Sequence, residues 1–285
     1  MEINILEITK EYKGKKAVDS LSLTLTNGVY GLLGANGAGK TTLMNLICML
    51  VKPESGEIQL NGADIAAMGE EYRRHLGFLP QNFEGYPDFT AQEFLEYIAA
   101  LKGVSIDDRL DYLLESVGMS DEIHRKIRTF SGGMRRRIGI AQAMINDPDI
   151  LILDEPTAGL DPKERARFRN IISSLSREKI IILSTHIVSD IEHIADNIII
   201  MKDGRLLDTG APESITGRLA GAVWELEAGE DEIQNYEKSC TICSVRSMDS
   251  GRVRIRLVSG AKPAIAAVSV QPELEDVYLY YFGGR

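Results

Sequence analysis

The segment Gly34–Thr41 constrains the fold of this chain more than any other, because it reads Gly-Ala-Asn-Gly-Ala-Gly-Lys-Thr. It matches the pattern G-x-x-x-x-G-K-[ST], in which glycines let the backbone wrap around a phosphate group. The apolar run Val29–Leu33 predicts a strand before the segment, and residues 41–50 predict a helix after it. Such a helix directs the positive end of its dipole towards the anion. The segment therefore predicts a phosphate-binding loop in an α/β fold.

Individual residues of this loop have distinct roles in holding a triphosphate. We expect Lys40 to bridge the β- and γ-phosphates and the Thr41 hydroxyl to bind Mg²⁺. The predicted nucleotide-contacting positions are Gly34, Ala35, Asn36, Gly37, Ala38, Gly39, Lys40, Thr41 and Thr42. A glycine-rich turn with a surface lysine is the alternative, which is disfavoured because a strand and a helix flank the segment as the motif requires.

Two carboxylates follow a second apolar strand, Ile150–Leu153. The end of a buried strand would place Asp154 beside the phosphate-binding loop, where it can hold Mg²⁺ through water. Glu155 would then orient or deprotonate the attacking water. An acidic strand end that caps the next helix is the alternative interpretation. The presence of the phosphate-binding loop in the same chain favours the catalytic interpretation.

The segment Ser131–Gly133 predicts a second anion-binding helix start. A serine at the N-cap followed by two glycines, with the helix beginning near Met134, leaves backbone N–H groups facing outwards. Taken alone, this segment is simply a good helix cap. Its importance is that the chain carries a second candidate phosphate site alongside a single phosphate-binding loop.

The order of these motifs resembles the nucleotide-binding domain of ABC transporters. From the amino end, the chain presents the phosphate-binding loop, Gln81, Ser-Gly-Gly, Asp-Glu, Gly-Leu-Asp and a histidine, and the likeness covers residues 1–215. The resemblance implies an ATPase that uses ATP and Mg²⁺, pairs with a second ATP-binding subunit and drives a membrane permease encoded as a separate chain. The basic run Arg135–Arg137 and the ending 274–281 are similar to those of drug and antibiotic exporters.

The resemblance also implies roles for residues in two subunits. Two such domains sandwich two ATP molecules in this family, so Ser131, Gly132 and Gly133 would contact the nucleotide of the partner. Asp161 resembles the aspartate at the dimer contact. It also has the features of an N-cap before Pro162, and both roles are compatible.

Three further site residues are implied within one subunit. Tyr12 resembles the aromatic residue that stacks on adenine, although a core or surface tyrosine is the alternative. Gln81 resembles the glutamine that contacts Mg²⁺ and water and senses the permease, so the expected metal set is Thr41, Gln81 and Asp154. His186, directly after the strand Ile180–Thr185, resembles the switch histidine on the γ-phosphate, although a lone histidine is more often structural.

The helix start departs from the family pattern at two positions. Phe130 and Met134 stand where the family usually has leucine and glutamine. Because the Met134 side chain has no amide group, it cannot make the hydrogen bonds of a glutamine side chain. The consecutive arginines Arg135–Arg137 fan about 100° apart on a helix, so they cannot form one basic stripe. We expect them to lie at a solvated or interfacial helix start.

Composition excludes some classes of function. The net charge of -10 argues against broad nucleic-acid binding, and no apolar run approaches the roughly 20 residues of a transmembrane helix. The first residues lack the pattern of a signal peptide. We therefore expect a cytoplasmic protein that is peripheral on the inner face of the plasma membrane through its permease. Cys240 and Cys243 lie in a strand-like segment without a second pair, which favours a structural role over zinc or redox chemistry.

The pattern predicts two domains. Residues 1–217 form an α/β P-loop NTPase core with an antiparallel β subdomain, indicated by alternation over Leu21–Leu25, and a helical subdomain at about 82–146. Residues 218–285 form a small accessory or regulatory α+β domain, in which we expect a helix of small residues after Val258 and a final tyrosine-rich segment.

Two other classes of function are alternatives to a transporter subunit. A soluble ABC ATPase of translation or DNA maintenance would carry two cassettes or a long coiled coil, and neither is present. A P-loop kinase or switch GTPase would have no use for the Ser-Gly-Gly segment.

The aromatic-rich segment Asn82–Phe94 is predicted to dock the permease, whereas internal packing of its rings is the alternative.

Overall fold

The computed structural model describes residues 1–105, 109–185, 187–249 and 251–283. The chain divides into two compact units, Met1–Leu207 and Asp208–Arg285. The boundary expected from sequence at residue 217 stays a prediction. The helix that ends at that residue packs on the C-terminal helix of the second unit. Within the described ranges, no helix is both long enough and apolar enough to cross a membrane.

The first unit combines two sheets with a helical segment. In chain order its elements are β1 (Glu2–Tyr12), β2 (Lys15–Thr26), β3 (Gly28–Leu33), α1 (Lys40–Ile47), β4 (Ser55–Leu60), β5 (Ala63–Asp64), α2 (Ile65–Met68), α3 (Glu70–Arg74), β6 (Leu76–Leu79), α4 (Ala91–Lys102), α5 (Leu110–Val117), α6 (Gly132–Ala143), β7 (Ile150–Asp154), α7 (Pro162–Leu175), β8 (Ile180–Ser184), α8 (Val188–Glu192), β9 (Asn197–Lys202) and β10 (Arg205–Gly210), the last of which runs into the second unit.

The antiparallel subdomain is confirmed. Its sheet has the order β2-β1-β4-β5. Leu21, Leu23 and Leu25 alternate with exposed polar residues along β2 and pack into the core, as period-two alternation predicts. β4 and β5 form the hairpin expected at Asn61-Gly62, where both turn residues adopt positive φ.

The second sheet of the first unit positions the predicted site. Its order is β10-β9-β3-β8-β7-β6, and the strands from β9 to β6 run parallel. β3, β7 and β8 are buried along their whole length, which explains their continuous apolar sequences. Leu32 pairs with Ser184 and Ser184 pairs with Asp154, so the carboxyl ends of these strands are level. The loops that follow them therefore meet at one edge.

The helical segment lies between β6 and β7, as expected. Phe94 and Leu95 on α4 and Leu113 and Leu114 on α5 are buried. The start of α6 differs slightly from the prediction: the helix begins at Gly132 rather than near Met134. The reason is that the Ser131 hydroxyl accepts a hydrogen bond of 3.2 Å from the Met134 N–H, so Ser131 itself is the N-cap.

The second unit contains an antiparallel sheet of order β12-β13-β11-β14. Its elements are α9 (Pro212–Gly217), β11 (Val223–Ala228), α10 (Ile233–Glu237), β12 (Thr241–Ser247), β13 (Val253–Val258), β14 (Val268–Ser269) and α11 (Leu274–Phe282). Buried Val253, Ile255 and Leu257 alternate with Arg254 and Arg256 along β13, so the sheet has one apolar and one charged face.

One expectation about this unit was wrong. The small residues after Val258 form a loop and the short strand β14 rather than a helix. Their Ala264 and Ala267 pack instead against the apolar face of the sheet, together with Ile233 and Tyr236 of the α10 region. The final tyrosine-rich segment forms the helix α11. It is tied to the charged face, where Arg256 pairs with Asp276 at 2.7 Å.

Candidate functional site

A cavity of about 390 Å³ lies in the first unit at the carboxyl edge of the parallel strands. It gathers residues from the phosphate-binding loop, the end of β1, the segment after β6 and the end of β7. The lining residues are Tyr12, Lys15, Ala17, Asn36, Gly37, Gly39, Lys40, Thr41, Thr42, Gln81, Asp154 and Glu155. Most of the nucleotide-contacting and catalytic residues expected from sequence therefore share one cavity.

Gly39 controls how the phosphate-binding loop enters its helix. Gly39 has φ 104° and is the N-cap of α1, which begins at Lys40. A Cβ at this position would collide with the carbonyl oxygen of Ala17, so only glycine fits. The Lys40 ammonium donates to the carbonyl oxygens of Gly34 at 2.6 Å and Ala35 at 3.2 Å. The Lys40 side chain thus folds back over the phosphate-binding loop.

Burial alters the acidity of the basic groups at this edge. Burial lowers the pKa of Lys40, and the nearby Glu155 and Asp154 carboxylates act in the opposite direction. The pKa of Arg136 is lowered by burial in the same way and raised by the same two carboxylates. Asp154 is itself buried. The two carboxylates therefore lie close enough to Lys40 and Arg136 to oppose the effect of burial on the pKa of both basic groups.

The Thr41 and Asp154 side chains meet at the floor of the cavity. The Thr41 hydroxyl donates to Asp154 Oδ2 at 3.1 Å, and the Ser184 hydroxyl donates to Asp154 Oδ1 at 2.5 Å. Both carboxylate oxygens are therefore oriented by hydroxyl groups. Hydroxyl and carboxylate oxygens are the hard ligands that Mg²⁺ prefers. The donor set at this point fits the metal expected from sequence.

Glu155 has an unusual backbone conformation. Its φ of 52° lies in the left-handed region, which costs about 1–3 kcal/mol for a residue other than glycine. The Glu155 N–H donates to the Ser184 carbonyl oxygen at 3.2 Å and to the Ser184 hydroxyl at 3.1 Å. The end of β8 thus holds Glu155 in a conformation that turns the chain at the cavity.

Arg136 is buried and connects several segments of the site, whereas the sequence predicted a solvated or interfacial helix start. Its side chain is only 7% exposed, and its guanidinium reaches the carbonyl oxygen of Gln81 at 2.7 Å. Arg136 also donates to the carbonyl oxygens of Asp154 and Glu155. It is buried because strand ends present carbonyl groups that need donors.

Tyr12 lines the cavity from the end of β1. Its side chain is 45% exposed, and the Lys10 ammonium lies 5.3 Å from its ring centroid. An aromatic ring that is held on one side and open on the other is suitable for stacking on a planar base. The geometry is compatible with the adenine contact expected from the sequence, which stays a prediction.

Some predicted residues do not line this cavity. Ser131 and Gly132 are exposed at the start of α6, and Gly132 instead lines a separate groove of about 600 Å³. Asp161 is the N-cap of α7: its carboxylate accepts from the Glu164 N–H at 2.8 Å, as its sequence features predict. Gly133 is buried beside Glu164. His186 lies outside the described residues.

Comparison with known proteins identifies the family. A model of the ABC transporter family matches residues 18–158. The bacitracin transport ATP-binding protein BcrA of Bacillus licheniformis is 39% identical over 209 residues, 72% of this chain and 68% of the relative. The Nod factor export ATP-binding protein I of Rhizobium etli is 32% identical over 298 aligned positions, 99% of this chain and 93% of the relative. This chain belongs to the ABC transporter ATP-binding proteins.

The ABC fold is also found by comparison with solved structures. A dimeric bacterial ABC transporter cassette superimposes with a TM-score of 0.67 and 28% identity, over 73% of this chain and 98% of the cassette. The chain is therefore an ABC ATP-binding subunit with ATPase activity, and the P-loop NTPase fold class is confirmed. In an ABC subunit of this kind, the cavity described above is the candidate site for ATP.

Sequence reasoning missed three residues of this ABC site. Ser184 orients Asp154, Arg136 connects segments of the site, and Lys15 lines the cavity next to the phosphate-binding loop. Ser184 could have been found, because it ends an apolar strand whose carboxyl end was predicted to lie at the same edge. Lys15 is the first residue of β2, three positions after Tyr12 at the end of β1.

Proposed function

We propose that this chain is the ATPase subunit of an exporter whose permease is a separate chain. The proposal is supported by relatives named for bacitracin transport and Nod factor export, the second of which aligns over nearly the whole chain. Binding to such a permease would hold the subunit at the membrane, on the cytoplasmic side where ATP is available. The partners in this proposal are the permease and a second ATP-binding subunit.

The observation that carries the enzymatic part is the convergence of Lys40, Thr41, Asp154 and Glu155 on one cavity. Lys40 and the N-terminus of α1 would bind the β- and γ-phosphates. Thr41, Asp154 and Gln81 would hold Mg²⁺. When bound, the metal neutralises developing charge on the phosphate oxygens. These residues together provide positioning and charge, which phosphoryl transfer mainly requires.

Glu155 is the proposed general base. It follows Asp154 directly and lines the cavity, so its carboxylate can accept a proton from a water molecule that attacks the γ-phosphate. Gln81 enters the cavity from the segment after β6 and would orient the same water. His186 is proposed to contact the γ-phosphate, on the basis of the resemblance alone.

A second subunit would complete the site. Ser131 and Gly132 are exposed at a helix N-terminus yet do not line the cavity of their own chain. We propose that they and Gly133 contact the nucleotide held by the partner subunit, with Asp161 at the contact between subunits. The dimeric cassette to which this chain is similar supports such an arrangement.

The permease would dock on an aromatic patch, defined here as Phe83, Tyr86, Phe89, Phe94 and Tyr97. The ring centroids of Tyr86 and Phe89 are 5.4 Å apart, and those of Tyr86 and Tyr97 are also 5.4 Å apart. Phe94 is buried and anchors the patch, whereas the side chains of Tyr86 and Tyr97 are 47% and 39% exposed. Exposed aromatic rings fixed by their neighbours suit a protein interface.

The test is co-purification of the permease with the double variant Tyr86→Ser/Phe89→Ser. We expect binding of the permease to fall at least about tenfold, while basal ATPase activity stays within about twofold, because neither ring lines the nucleotide cavity. Tyr112→Ser is the matched control, since Tyr112 is 53% exposed on α5. Unchanged co-purification together with a loss of stability would show that the rings serve the core instead.

A further inference from the structure

Arg136 uses every N–H group of its guanidinium on backbone carbonyl oxygens. Nε donates to Pro156 at 3.4 Å, and Nη1 donates to Pro80 at 3.1 Å and to Gln81 at 2.7 Å. Nη2 donates to both Asp154 and Glu155. An arginine has five N–H donors in a rigid planar fork, and here each finds an acceptor. Burying a positive charge does not by itself require that all five N–H groups find an acceptor, so this arrangement is more specific than burial alone explains.

The acceptors belong to two segments that both line the nucleotide cavity. One segment follows β6 and contains Gln81; the other follows β7 and contains Glu155. These strands are parallel neighbours, with Leu79 paired to Leu153. Where two paired strands end, their next carbonyl groups lose the partners that the sheet provides. The Arg136 guanidinium occupies this position and ties the two segments together.

Hydrogen bonds hold the Glu155 backbone on both sides, at its N–H and at its carbonyl oxygen. Its N–H donates to Ser184, while its carbonyl oxygen accepts from Arg136. A left-handed conformation in a residue other than glycine persists only where the surroundings enforce it. Ser184 and Arg136 both contribute to enforcing it here, together with the Ala158 N–H, which donates to the Glu155 carbonyl oxygen at 3.2 Å. Loss of the Arg136 contact would remove one of these restraints on Glu155.

Arg136 also lies on α6, the helix whose N-cap is Ser131. It is separated from that N-cap by little more than one helical turn of α6, and its burial fixes the first turns of α6 against the strand ends. We propose that Arg136 is a positioning residue that fixes Gln81, Glu155 and the start of α6 as one unit, so that a subunit's own catalytic edge and the surface it offers to its partner move together. The inference rests on the proposed roles of Glu155 and of the Ser131 segment.

Arg136→Lys is the primary test variant, because lysine keeps the positive charge but has three donors and no planar fork. We expect kcat for ATP hydrolysis to fall at least about tenfold, since small displacements of catalytic groups have large effects on rate. The Kd for ATP should stay within about twofold, because Lys40 and Thr41 make no direct contact with Arg136. This split between kcat and Kd would not follow from a general loss of folded protein.

Arg137→Lys is the matched control on the same helix. The Arg137 guanidinium also donates to backbone carbonyls, those of Val117 at 3.3 Å and Gly118 at 2.8 Å, but these groups lie in the helical segment and away from the cavity. We expect kcat of this variant to stay within about twofold of the parent value. Equal losses of kcat in the two variants would assign Arg136 a structural role only and overturn the proposal.

Chemical rescue gives an independent readout. In Arg136→Ala, millimolar methylguanidinium should restore at least about a tenth of the parent kcat, whereas methylammonium, which has the charge without the fork, should not. Equal effects of both cations would contradict positioning by the fork. If the alanine variant does not fold, Arg136→Lys decides alone, and a kcat within twofold of the parent overturns the proposal.

Glu155→Gln separates this inference from the proposed function on which it rests. If Glu155→Gln hydrolyses ATP normally, the assignment of the base is wrong and the reason for positioning Glu155 disappears. If Glu155→Gln is inactive while Arg136→Lys is fully active, the base assignment holds and the positioning role of Arg136 is wrong. Loss of kcat in both variants, with ATP binding retained, supports both assignments.

Discussion

The hydroxyl of Thr41 and the carboxylate of Asp154 are joined by a hydrogen bond of 3.1 Å across 113 positions of sequence. One residue belongs to the helix after the phosphate-binding loop and the other ends strand β7. Ser184, at the end of the strand between β3 and β7, holds the second oxygen of the same carboxylate. The floor of the cavity is therefore built by the ends of two neighbouring strands and the first turn of the helix α1.

Ser184→Ala tests this arrangement. The change removes a donor to Asp154 and an acceptor for the Glu155 N–H, so the free energy of unfolding should fall by about 1–3 kcal/mol. We expect kcat to fall about tenfold because both carboxylates lose orientation. Urea unfolding and steady-state ATPase assays measure the two effects. Ser174→Ala, which removes an exposed hydroxyl on α7, is the control and should change neither quantity appreciably.

The composite site predicts a specific pattern of complementation. Ser131→Arg should keep ATP binding in the monomer, because Ser131 does not line its own cavity, and should abolish ATP-driven dimerisation. Lys40→Ala should weaken nucleotide binding directly. A mixture of the two variants should form mixed dimers with one competent site, in which the intact loop of one chain faces the intact Ser131 segment of the other.

Analytical ultracentrifugation with labelled ATP gives the measurement for this complementation. One bound nucleotide per mixed dimer is the expected stoichiometry. The control is each variant alone, which should stay monomeric with ATP. Absence of mixed dimers, or dimerisation of Ser131→Arg alone, would show that the nucleotide is not shared between subunits in this way.

We predict that the Cys243 thiol of the second unit reacts slowly with iodoacetamide and that its rate of reaction rises with pH. Burial raises the pKa of Cys243 to about 12, and the Asp276 carboxylate acts in the same direction. Because the thiolate is the nucleophile, iodoacetamide should modify Cys243 about 10³-fold more slowly at pH 8 than it modifies a model thiol. The rate should rise about tenfold per pH unit between pH 8 and 10.

Peptide mass spectrometry resolves the two cysteines, with Cys240 as the internal control in the same sample. Asp276→Asn should increase the reactivity of Cys243, since it removes a negative charge that opposes thiolate formation. Labelling of Cys243 at the rate of a model thiol at pH 8 would contradict its described environment.

Much of the fold followed from local patterns. The alternation over Leu21–Leu25 gave the antiparallel strand, and the continuous apolar strands ending at Asp154 and Ser184 gave the parallel sheet. The glycine pattern of the phosphate-binding loop predicted where the cavity lies. The structure explains one of these glycines, because a Cβ at Gly39 would collide with the Ala17 carbonyl oxygen. The fold class and the family are confirmed by the comparisons.

Other features depend on contacts between distant segments and could not be read locally. Arg136 has the sequence context of a surface helix, yet carbonyl groups from the ends of β6 and β7 draw it inside. In the second unit, the charged face of β13 attracts α11 through the Arg256–Asp276 pair, so the apolar face is covered by other residues. Which face a helix covers depends on these partners as well as on its own amphipathic pattern.

Glu155→Gln tests the central claim most directly, namely that this chain hydrolyses ATP by a base placed beside Asp154 and dimerises around the nucleotide. Single-turnover hydrolysis of bound ATP should slow at least about 10²-fold, the usual scale for a lost general base. Because the amide also removes a negative charge near the γ-phosphate, the variant should accumulate as an ATP-bound dimer in size-exclusion chromatography. Hydrolysis at the parent rate, or a variant that stays monomeric with saturating ATP and Mg²⁺, would contradict the account.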